Sequence, residues 1–159
     1  MKAQIIERIF LGLGALLILI SSYQLFFRPS QNSRGEKLGT LTSALSVVKT
    51  KSALALDWRD ASIGNDLTEN QLIYTDNASG AEVVFNEGNS LEIGENSLVK
   101  LRTQGNDEAL DISKGFIRAK LTDDRPLKVQ MNGEDYLVSG DGADIQINLQ
   151  GNKGEIGVL

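Results

Sequence analysis

The sequence predicts an all-β domain carried behind one apolar helix. Three observations predict it. Apolar residues recur at every second position through most of residues 46–159, the signature of half-buried strands. Clusters of Gly, Asn, Asp and Ser punctuate those runs every 7–12 residues. Ahead of them lies one uncharged apolar stretch of 19 residues.

Residues 1–8 form a short polar stub containing Lys2, Glu7 and Arg8. Residues 9–27, IFLGLGALLILISSYQLFF, carry no charge. As a helix they rise roughly 28 Å, which matches a hydrocarbon core of about 30 Å. Arg8 and Arg28 bracket the run, and Tyr23 sits near its end, where an aromatic ring suits the interface. The rival reading is a cleaved signal peptide, but no small-x-small site follows and Gln24-Leu-Phe-Phe27 prolongs the apolar run. No GxxxG spacing marks a packing face, so the segment reads as a single transmembrane anchor. Flanking charge is nearly balanced; an N-terminus held inside follows from the usual pairing of such anchors with an exported domain.

Residues 28–45, RPSQNSRGEKLGTLTSAL, have the small and polar composition of a linker, with a weak helical tendency from Thr42. The domain itself spans residues 46–159. Its strand-like runs include Ala53-Leu-Ala-Leu-Asp-Trp58, Ala81-Glu-Val-Val-Phe85, Ser90-Leu-Glu-Ile93, Ser97-Leu-Val-Lys-Leu101 and Ala109-Leu-Asp-Ile112. Gly115-Phe-Ile-Arg-Ala-Lys-Leu121, Leu127-Lys-Val-Gln-Met131, Tyr136-Leu-Val138, Asp144-Ile-Gln-Ile-Asn-Leu149 and Glu155-Ile-Gly-Val-Leu159 complete them. The spacing fits an antiparallel β-sandwich and a β-solenoid or roll equally well. Asn86-Glu-Gly-Asn-Ser90 and Gly94-Glu-Asn-Ser97 look like successive tight corners, which favours short coiled rungs. Trp58, the only Trp, is expected to cover one end of the core.

Composition narrows function. Residues 1–45 hold five Lys/Arg against two Asp/Glu, and residues 46–159 hold 11 against 19. An acidic domain is a poor nucleic-acid binder. The chain has no Cys and no His, which removes Cys/His zinc sites and any catalytic arrangement built on those side chains. Glu134, Asp135, Asp141 and Asp144 lack the spacing of a calcium loop and read as solvated turns, as do Asp123 and Asp124. Asn77-Ala-Ser79 matches a glycosylation sequon and reads as a turn, and Gly140-Asp-Gly142 lacks the Lys of a phosphate loop. No catalytic, cofactor-binding or metal residue is expected, and no small-molecule substrate.

From Ile63 onward the order of turns and strands resembles a FecR-like domain. Gly64-Asn-Asp-Leu67 followed by Ile73-Tyr-Thr75 is similar to that family's Gly-Asp-x-Leu turn and Ile-x-Thr strand. Ser79 to Leu101, Leu110-Asp-Ile-Ser-Lys-Gly-Phe-Ile-Arg118 and Pro126-Leu-Lys-Val129 resemble its next three stretches. Where the family has Arg-Gly-Thr-x-Phe, this chain has Val138-Ser-Gly-Asp-Gly-Ala-Asp-Ile145. The resemblance implies a twisted β domain on the periplasmic side of a bacterial inner membrane, behind one helix. It implies a further strand beyond Leu159 as well, so that an edge is left open at the end of this sequence.

The regulators that name the family carry a cytoplasmic anti-sigma region, for which residues 1–8 are too few. The expected role is therefore a non-enzymatic, inner-membrane-anchored scaffold that binds an envelope protein. An accessory subunit of a secretion system or flagellar motor is one form of it. A FecR-type signal relay and a cell-wall glycan binder are the alternatives.

Overall fold

The computed structural model describes residues 35–122 and 125–159. The stub, the proposed helix 9–27, most of the first half of the linker, and Asp123-Asp124 lie outside the described residues. Among the described residues no helix is long and apolar enough to cross a membrane.

Thirteen strands form among the described residues, in two half-sheets. The first half-sheet runs β4 (Asp66–Thr68), β1 (Lys37–Leu45), β6 (Gly80–Phe85), β7 (Ser90–Ile93), β9 (Asp107–Lys120), β12 (Asp144–Gln150), β13 (Lys153–Val158). The second runs β3 (Arg59–Asp60), β2 (Val48–Lys51), β5 (Leu72–Thr75), β8 (Leu98–Gln104), β9, β10 (Leu127–Met131), β11 (Glu134–Val138). Strand β9 belongs to both. Its residues 107–114 pair with β8 and its residues 115–120 with β12. All pairings are antiparallel except β9 with β10. The domain is thus all-β, as the alternation predicts, and its sheet is curled and antiparallel rather than a stack of parallel rungs.

Period-two alternation builds the core. Val83, Leu91, Ile117 and Ile147 from the first half-sheet and Ile73, Val99, Leu110 and Val129 from the second point inward into one buried cluster. Burying each Leu, Ile or Val stabilises the fold by about 1.5–3 kcal/mol.

The chain changes half-sheet at Ser46, Asn70, Ala78 and Asn96, where φ is +61°, +60°, +50° and +55°. A left-handed residue turns the strand sharply enough to cross the core; Asn tolerates it, while Ser46 and Ala78 do so at a cost of about 1 kcal/mol or more. Residues 94–97 are therefore a corner between layers, whereas residues 86–89 are an ordinary hairpin within one layer. Strand β9 makes its own crossing at Gly115, with φ +112°. A Cβ there would lie 2.1 Å from Ser97 Oγ, so only glycine fits.

Two expectations need correction. Composition reads residues 28–45 as a linker, but Lys37–Leu45 forms β1, bonded to both β4 and β6. Its register shifts twice, between Lys37 and Gly39 and between Leu41 and Ser43. Those irregularities erase the alternation that marks the other strands. Conversely, residues 53–58 alternate well but form a loop between β2 and β3. Leu54 and Leu56 are exposed and have no sheet to face.

Candidate functional site

Of the four edge strands, β3 and β4 are two or three residues long; the longer edges, β11 and β13, and two concavities are the candidate interaction features. Strand β13 pairs only with β12, and β11 only with β10. Each leaves a row of backbone N–H and C=O groups on its far side. Such an edge is a template for another strand. Along β13 every residue but Ile156 is exposed, and Val158 and Leu159 present apolar side chains at its end. Along β11 the exposed side chains include Tyr136 and Leu137, and the Tyr136 hydroxyl donates to Glu134 at 2.6 Å. That bond, with burial, raises the Tyr136 pKa.

The outer face of the first half-sheet forms an open groove of about 480 Å³. Alternation places Glu82, Glu92 and Arg118 in one cross-strand row. Like charges directly opposite repel, and Arg118 does not ion-pair with either glutamate. Its Nε and one terminal nitrogen donate instead to Asp144, at 2.7 and 2.5 Å. This two-point clamp holds the Asp144 carboxyl below its ordinary pKa. Phe116 and Leu45 line the groove alongside these charges, and both rise to the surface. With Lys120 also in its lining, the groove carries both signs of charge, and its length suits an extended chain.

A second cleft, about 350 Å³, opens where the β6–β7 and β8–β9 hairpins meet the start of β1. Glu108 lines it and is only 9% exposed. One carboxylate oxygen accepts from Asn89 Nδ2 at 2.9 Å, and the other has no hydrogen-bond partner. Burial is the main reason its pKa is raised, and the Asn89 bond works against that rise. At the rim Arg125 pairs with Glu87 at 2.7 Å.

The residues weighed from sequence disperse. Asp144 serves Arg118, Asp135 accepts from Gln130 at 2.9 Å, Glu134 accepts from Tyr136, and Asp141 lies on an exposed turn. No cluster of three or more His, Cys, Asp or Glu that suits a metal occurs among the described residues. Ser79 of the sequon-like turn is buried, donates to the Asn77 carbonyl and accepts from the Val47 amide. Trp58 is not in the core. It is 39% exposed and meets Tyr74 edge-on, with ring centroids 6.1 Å apart. The Glu82–Glu92–Arg118 row escaped sequence reading because strand pairing, not spacing, assembles it; each residue's outward phase was the available signal.

No family model, curated protein or solved structure matches this chain.

Proposed function

We propose that this protein is a non-enzymatic binding module of the bacterial envelope. Residues 9–27 hold it in the inner membrane with residues 1–8 in the cytoplasm. The β domain stands on the periplasmic side and captures an extended segment of a partner protein. The observation that carries this reading is the open edge of β13: six residues with one bonded neighbour and an apolar terminus at Val158 and Leu159. Backbone pairing along such an edge supplies affinity, and side chains on alternate positions supply selectivity. The resemblance of residues 46–159 to a FecR-like domain supports the envelope setting, and a subunit of a larger membrane machine is the role that suits an anchored strand-acceptor.

The test is a photo-crosslinker at Glu155 in the full chain at native expression level. It recovers one partner in stoichiometric yield, and amide exchange along β13 slows when that partner is bound. A clean monomer with unchanged exchange at β13 overturns the proposal.

A further inference from the structure

The outer face of the second half-sheet differs in kind from the groove described above. At one end of it, Lys49 and Lys51 on β2 point away from the core, as the buried Val48 and Thr50 between them require. Lys49 stands beside Tyr74 of β5 in register. Lys114 of β9 lies over that ring, with its Nζ 5.5 Å from the centroid. Trp58 meets the same ring edge-on. The loop that brings Trp58 there lifts Leu54 and Leu56 into solvent, 84% and 95% exposed.

Elsewhere on this half-sheet two lysines are neutralised by ion pairs. Lys100 and Lys128 are paired with Asp111 and Asp107, at 3.0 and 3.1 Å. Lys49, Lys51 and Lys114 make no ion pair among the described residues, although Asp60 stands opposite Lys49 in register. Asp57 pairs with Arg59, and Asp76 accepts from the Tyr74 hydroxyl. In a chain of net charge −5, this patch sets Lys49, Lys51 and Lys114 against the two carboxylates Asp60 and Asp76, a local excess of one positive charge beside two aromatic rings and two bare leucines.

We infer that this patch is a lipid-docking surface for the headgroup region of an anionic bilayer. Leu54 and Leu56 enter the acyl boundary, Trp58 and Tyr74 sit at headgroup level, and the three lysines meet lipid phosphates. Each component matches what that layer selects: apolar tips below, amphipathic rings at the interface, cations above. A protein groove would accept the leucines, but it gives no reason for the lysine ring around them. The inference rests on the membrane reading above. It adds an orientation: the second half-sheet faces the bilayer, so the Glu82–Glu92 groove on the first half-sheet's outer face is left uncovered.

Trp58 is the only tryptophan of the chain, so its fluorescence reports this patch alone. The experiment reconstitutes the full chain in phosphatidylcholine vesicles with and without phosphatidylglycerol, both with brominated acyl chains. The expected result is a blue-shifted Trp58 emission, quenched strongly only where phosphatidylglycerol is present. The K49Q/K51Q variant shifts the docked-to-free ratio by roughly 30-fold toward free, since each lysine near an anionic surface contributes about fivefold. L54S/L56S abolishes quenching; both changes lie on solvent-facing positions, and circular dichroism confirms the fold.

Flotation separates the two readings. Chain that floats with both vesicle types yet shows an unquenched, unshifted Trp58 overturns the inference and leaves the anchor standing, the result a protein-docking loop would give. Chain that fails to float with phosphatidylcholine overturns the anchor; phosphatidylglycerol vesicles added to it still decide the patch by the same quenching.

Discussion

Around Ser97, Thr75 and Ser97 are fully buried, and each hydroxyl is used. The Thr75 hydroxyl donates to the Gly94 carbonyl at 2.6 Å and accepts from the Ser97 amide at 3.0 Å. Ser97 Oγ accepts from the Phe116 amide at 3.1 Å and faces the Phe116 and Glu95 carbonyls. Between the β6–β7 and β8–β9 hairpins, Asn89 and Glu108 are also buried, but the network ends in an orphaned carboxylate oxygen. Asn89 does satisfy the Thr122 amide, at 2.9 Å. Both clusters tie strands of different half-sheets together. One is complete and neutral; the other is incomplete and ionisable. A complete buried network fixes a corner, whereas an incomplete one makes a region sensitive to its surroundings.

The comparison breaks most decisively at Gly115. Gly115→Ala drives a methyl group into Ser97 at a left-handed φ and destabilises the domain by about 4 kcal/mol, summing strain and overpacking. Urea unfolding followed by circular dichroism measures it. Next comes Asn89→Ala, which strips the Glu108 carboxyl of its side-chain donor and leaves the Thr122 amide without its acceptor. About 3 kcal/mol is expected, as a fall in the urea midpoint at neutral pH. Ser97→Ala removes an acceptor from a buried amide at a corner otherwise intact, and costs about 2 kcal/mol in the same assay.

The smallest effect sharpens the contrast through pH. The folded-state pKa of Glu108 is raised above its unfolded value, so the folded state binds the extra proton more readily. Stability from this group is therefore greatest below the unfolded carboxyl range and is lost as pH rises through the interval up to the raised value. Glu108→Gln flattens that slope. Its melting temperature at pH 7 equals or exceeds the parent's, and at acid pH the two converge. A steeper slope in the variant contradicts a desolvated carboxylate. Ser97→Ala leaves the slope unchanged, because the hydroxyls and amides it disturbs carry no ionisable proton in this range.

Much of this architecture was legible in the sequence where one side of a strand is buried and the other wet. Residues 81–85, 90–93, 127–131 and 144–149 alternate cleanly and are strands. Strand β9 reads as two runs, because Ser113, Lys114 and Gly115 interrupt the apolar period just where it passes from one layer to the other. Strand β1 was illegible for a related reason. Two register shifts and Gly39, whose missing side chain lets the Val84 carbonyl approach, give it a linker's composition. The lysine–aromatic patch was not legible, since Lys49, Trp58, Tyr74 and Lys114 are distant in sequence and only strand pairing gathers them.

Strand β9 has a mechanical consequence. A partner that grips β13 pulls through β12 onto residues 115–120 of β9, while residues 107–114 of the same strand are held by β8 and β10 in the other layer. Tension applied at the edge cannot peel one layer from the other without shearing this shared strand. The domain should therefore yield to force as a single unit rather than layer by layer.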